Sequence, residues 1–81
     1  MKRGRRPFAA FGFDTTHDAL QAEDALLAAN IEVALIPTPR ALGSLCGFAV
    51  RVPAGERDAA VAAFASARIE HNGEIEIEDR A

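Results

Sequence analysis

An 81-residue chain that is 49% apolar and carries a net charge of −3 has length for one modest core and none for a second. Five Phe, no Trp and no Tyr make that core thin, and a single cysteine excludes an internal disulfide, a usage that fits a reducing cytoplasm. No apolar run approaches the roughly 20 residues that span a bilayer, and the basic start lacks the apolar stretch and cleavage site of a secretory signal.

Residues 1–6 read as a basic, flexible tail with Lys2, Arg3, Arg5 and Arg6. That tail leaves the rest of the chain at about −7, and an acidic body argues against nucleic acid as the main ligand, since phosphate binding needs clustered cations. Residues 7–78 are expected to form a single domain, with 79–81 as a short C-terminal tail. Phe8 to Phe13 is a short apolar run that reads as a buried strand. Asp14-Thr15-Thr16-His17-Asp18 supplies the oxygens that cap a helix start. From Thr16 to about Ala29, Ala19, Ala22, Leu26 and Ala29 recur on one helical face, with Leu20 and Leu27 beside it, and Asn30 suits the left-handed position that closes a helix. Ile31 to Ile36 reads as a second strand, stopped by Pro37.

Phe48 to Val52 gives a third strand, broken by Pro53-Ala54-Gly55. A second helix is expected from Glu56 to about Ala67 with Ala60, Val61, Phe64 and Ala65 inward. A last strand falls between Ile69 and Glu78, where Glu74-Ile75-Glu76-Ile77-Glu78 alternates strictly and so has one buried and one wet face. His71-Asn72-Gly73 reads as a turn or bulge at its start. Phe8-Ala-Ala with Asp18-Ala echoes Phe48-Ala-Val with Asp58-Ala, which suggests two similar halves. The order β-α-β-β-α-β predicts an α+β, ferredoxin-like sandwich: a four-stranded antiparallel sheet with two helices on one face.

The connector from Pro37 to Gly47 carries the chemistry. It holds Pro37 and Pro39 around Thr38, then Arg40, Gly43, Ser44, Cys46 and Gly47, and two prolines with an arginine are more than a plain strand connection requires. In the predicted topology the third strand descends beside the first, so Cys46 should face Asp14, Thr15 and Thr16 at the first turn of helix one. Backbone N–H groups there favour negative charge, and a thiolate is one. Thr15, Thr16 and Ser44 offer hydroxyls, Arg40 a positive charge and His17 a proton-exchanging ring, while Asp14 and Asp18 oppose the effect. The plainer reading makes Cys46 a small buried hydrophobe, Asp14 to Thr16 a cap, and Pro37 and Pro39 a stiff strand exit. Gly47 then serves backbone geometry alone.

Other catalytic patterns are missing. One cysteine and two histidines show no zinc-ligand spacing, and there is no Cys-x-x-Cys, phosphate-binding glycine loop or serine elbow. A complete active site, a metal or a cofactor is not expected. The run from Asp14 to His17, then Ala19, Ala22-Glu23, Leu35-Ile36-Pro37-Thr38-Pro39-Arg40 and Ser44-Leu45-Cys46-Gly47 resembles a family of small bacterial proteins described as Se/S carrier protein-like. The match is strongest from Phe8 to Val52, with Gly43 and the basic start as departures. The resemblance implies a cysteine, here Cys46, that carries sulfur or selenium as a persulfide or selenosulfide between donor and acceptor proteins in the cytoplasm. A rival from another class remains: a ligand-binding or regulatory interaction module, compatible with a homodimer through an exposed sheet face or edge, in which Cys46 only packs.

Overall fold

A computed structural model describes residues 5–43 and 46–80, with Arg80 described by its backbone alone. Lys2, Arg3 and Ser44 lie outside those residues. The elements are β1 (Arg5–Phe11), α1 (Thr16–Ala28), β2 (Ala34–Pro37), β3 (Phe48–Pro53), α2 (Arg57–Ser66) and β4 (Glu74–Arg80). Short 3-10 turns occupy Arg40–Leu42 and Ala54–Glu56. The strands form one antiparallel sheet in the order β2-β3-β1-β4, the ferredoxin-like α+β arrangement.

β1 begins at Arg5, earlier than its apolar run, because β4 is long enough to pair with it: Arg5 lies opposite Arg80 and Arg6 opposite Asp79. The backbone ladder thus carries the strand into residues read as tail at both ends of the chain. The Arg6 guanidinium donates to Glu32 at 2.5 Å and lies 4.9 Å from the centre of the Phe8 ring. β2 starts late, at Ala34, because the chain leaving α1 is spent on closing the helix. Asn30 sits at φ 62°, its N–H bonds to the Leu27 carbonyl, and the Ile31 N–H reaches back to Leu26. This is the two-bond closure that a left-handed residue makes possible at a helix end. α2 ends the same way, with Arg68 at φ 58° and Ile69 bonded to the Phe64 carbonyl.

One face of the sheet carries both helices. Ala9, Phe11, Val50 and Val52 meet Ala19, Ala22 and Leu26 of α1 and Ala60 and Phe64 of α2, with Phe13, Ile31 and Cys46 in the same buried cluster. Ala29 and Ala65, expected inward, are exposed: Ala29 is already the cap of α1, and Ala65 is turned away from the sheet. Phe64 is the hub, edge-on to Phe11 at 5.1 Å and to Phe13 at 5.8 Å. His71 joins this aromatic group 5.0 Å from Phe11, so it has a packing role beyond the turn expected of it.

β4 alternates as its sequence does, but its isoleucines sit on the helix-free face. Ile75 pairs with Ala10 and Ile77 with Phe8, whereas Glu74 and Glu76 oppose the core-facing Phe11 and Ala9. Phe8 is fully buried on that outer face because Arg51 lies over its ring at 4.0 Å and Ile77 stands opposite. Glu74 is used on its own side: it takes two hydrogen bonds from Arg57, at 2.6 and 2.7 Å, which tie the start of α2 to β4. Those bonds hold the Glu74 carboxyl below its ordinary range, and with a further bond to Asp58 they raise Arg57 above its own.

Candidate functional site

Cys46 lies just before β3, at the end of the sheet where α1 begins. Thr15 caps α1, accepting the Asp18 N–H at 3.0 Å, which leaves Thr16 as the first helical residue. The Thr16 hydroxyl stands 3.6 Å from Cys46 Sγ. The antiparallel pairing of β1 with β3 brings these two residues together across 30 positions of sequence. A donor comes from the strand itself: the Phe48 N–H points at Sγ from 3.3 Å. A side chain accepting the N–H two residues on is the same local turn that Asn and Asp make, and it fixes the thiol over the entrance to β3.

Thr38 secures the backbone of the cysteine. Its hydroxyl donates to the Cys46 carbonyl at 2.8 Å, and its N–H donates to the Gly47 carbonyl at 3.0 Å. β2 and β3 therefore stay zipped one step past the Pro37–Phe48 pair, and the connector closes as a pinned loop. In the sequence Thr38 stands out only as the residue between two prolines. The signal that could have found it is its position, since a hydroxyl-bearing residue directly after a strand-ending proline can cap the facing strand's backbone.

Arg40 opens the 3-10 turn, which is closed by the Leu42 N–H to Pro39 and the Gly43 N–H to Arg40. Gly43 sits at φ 63°, a left-handed conformation that costs glycine little. The Leu42 side chain packs over Gly73, where an added Cβ would come within 3.4 Å of it, so the turn rests on the approach to β4.

These residues frame an open cleft of about 450 Å³ lined by Pro37, Thr38, Pro39, Arg40, Gly43, Cys46 and Gly47. Cys46 is only 6% exposed, and its surface lies in that cleft. Among the described residues, apart from Cys46 and Phe48 on either side, no atom comes within 4 Å of where a Gly47 Cβ would stand. Arg40 is exposed, and its guanidinium has no ion-pair partner among the described residues. Pro37 lines the cleft at the end of β2; its pairing partner Phe48 is 42% exposed although it shares its face with the buried Val50 and Val52.

Of the residues singled out by sequence, Cys46, Arg40, Gly47, Pro37 and Pro39 are brought around one cleft, and Thr16 reaches the sulfur from behind. Thr15 is engaged as the helix cap and His17 is exposed on the first turn of α1. Asp14 accepts from the Asn72 side chain at 2.7 Å, which ties the turn before β4 to the start of α1. Among the described residues no cluster of His, Cys, Asp and Glu could hold a metal ion, and no helix is long and apolar enough to cross a membrane.

A family model described as "Putative Se/S carrier protein-like" matches residues 10–76. No curated protein and no solved structure matches the chain.

Proposed function

Since the chain belongs to the Se/S carrier protein-like family, matched over most of its length, we propose that it carries one sulfur or selenium atom on Cys46 between donor and acceptor proteins. The Cys46 thiolate attacks the outer sulfur of a donor persulfide. A new S–S bond forms on Cys46, the donor's S–S bond breaks, and the electron pair leaves on the donor thiolate. No net oxidation occurs, and the reverse exchange with an acceptor thiol unloads the carrier. The chain has no second cysteine, so release falls to the acceptor or to a small thiol.

The observation that carries this reading is the placement of Sγ. Two groups from different elements meet it, the Phe48 N–H as a donor and the Thr16 hydroxyl at 3.6 Å, while Cys46 lines a cleft beside Arg40. Exchange proceeds through the thiolate, so a sulfur that a partner molecule can reach in the cleft is what the reading requires. Gly47 leaves the approach unshielded and Pro37 and Pro39 stiffen the loop.

The burial of Cys46 within the apolar cluster favours a second reading, a binding module in which the thiol packs and nothing more. Loading separates the two. Purified protein given a cysteine desulfurase and cysteine should gain about 32 Da, one sulfur, on Cys46, and a reductant should remove it. Cys46→Ser should gain nothing. A wild-type protein that stays unmodified with sulfur and selenium donors alike would leave only the binding module.

A further inference from the structure

The charge of the cleft bears on which donors it takes, an inference that rests on Cys46 being the carrier thiol. In a chain of net charge −3, Arg40 is the only charged side chain among the described residues that line it. Arg40 is also held in place, on a turn whose two ends are a proline at φ −60° and a glycine at φ 63°. With no ion-pair partner among the described residues, its guanidinium is available to a ligand. A planar guanidinium matches the paired oxygens of a sulfonate or similar oxyanion better than any other side chain does. Cys46 as a residue is 6% exposed and lines the cleft together with Arg40, a setting open to a small molecule.

From this charge and access we infer that the Cys46 cleft accepts a small anionic sulfane donor of the thiosulfate class, oriented by Arg40. The Cys46 thiolate attacks the outer sulfur of thiosulfate and forms Cys46–S–S⁻. The S–S bond of thiosulfate breaks and its electron pair leaves with sulfite. One thiolate and one dianion become one persulfide anion and one dianion, so charge and electrons balance without an added oxidant. Arg40 offsets the repulsion between thiolate and dianion and then holds the departing sulfite oxygens.

The test uses the full chain, thiosulfate as the donor, and Arg40→Ala and Arg40→Lys beside wild type. Wild type should gain one sulfur on Cys46 and release an equal amount of sulfite. The loading rate should fall about tenfold in Arg40→Ala and recover in part in Arg40→Lys, since lysine returns the charge without the fork. An independent readout compares two alkylating reagents that differ in charge. The rate with iodoacetate relative to neutral iodoacetamide should fall about fivefold in Arg40→Ala, the factor one close unit charge supplies in water-like surroundings. Loading by a desulfurase but not by thiosulfate would overturn the inference and leave the carrier reading standing. So would equal thiosulfate rates in wild type and Arg40→Ala. Failure of every donor would overturn both.

Discussion

Replacing Thr38 with Val tests whether the connector is pinned by the hydroxyl or merely by its prolines. Valine keeps the branched shape and the N–H that donates to Gly47, and removes only the 2.8 Å bond to the Cys46 carbonyl. An intramolecular hydrogen bond of this kind contributes about 0.5–1.5 kcal/mol net. The bond is part-buried, so water can reach the abandoned carbonyl and the cost should stay near 1 kcal/mol rather than rise toward 3. In a domain of this size about 1 kcal/mol lowers the melting temperature by roughly 4–8 °C. Thermal unfolding followed by circular dichroism reads this directly, with Thr38→Ser as the control that keeps the hydroxyl and loses a methyl. The expected order is wild type, then Ser close behind, then Val clearly lower. A larger loss in Ser than in Val would assign the effect to methyl packing, and an unshifted Val variant would show that the bond pins nothing.

Thr16→Val, at an exposed position, should leave stability within about 0.5 kcal/mol of wild type. It should nevertheless change the rate of iodoacetamide alkylation of Cys46 several-fold, and an unchanged rate would mean the 3.6 Å contact has no bearing on the reactivity of the sulfur. Arg68→Gly should raise the denaturant midpoint by about 1 kcal/mol of stability, because a side chain at φ 58° carries a cost that glycine lacks; a loss would mean the Arg68 side chain contributes more than its backbone strain. Glu74→Gln should lower the melting temperature at pH 7. The folded Glu74 carboxyl titrates below its ordinary value of 4.5, so its pairing with Arg57 is fully present above that value and is lost as pH falls through the lowered one. The difference from wild type should therefore close in acid, and a difference constant with pH would refute the assignment.

The architecture was legible because pattern and punctuation agreed. Helical spacing around Leu26 and Phe64, the stop at Pro37 and the break at Pro53 defined six elements, and their order allowed few topologies. The same order puts the start of β3 beside the end of β1, and so Cys46 beside Thr16. The echo between Phe8 and Phe48 pointed to the right topology, yet the two rings land on opposite faces of the sheet, Phe8 buried and Phe48 exposed. The deeper repeat is at the helix ends, where Leu26–Ile31 and Phe64–Ile69 close around Asn30 and Arg68 in the same way. Composition hid it, because Arg68 is not a residue that signals a left-handed turn.

Other features escaped for equally local reasons. Alternation in β4 identifies two faces but not which one meets the helices, and β4 is an edge strand that the helices hardly reach. Arg5 and Arg6 read as tail because charge masks a strand whose pairing is set by its neighbour. The bond from Thr38 to Cys46 depends on the register between β2 and β3, which neither strand's sequence states.

A carrier must both take and return a chalcogen on Cys46 while the protein stays folded. Protein loaded with isotopically labelled sulfur, freed of donor and offered a small thiol, tests this in native buffer and in denaturant. The account predicts that one label per chain leaves at a similar rate in both, with the Cys46 thiol restored. Label that stays on the native protein and leaves only after unfolding would contradict it, because Cys46 would then be a buried trap and not a carrier.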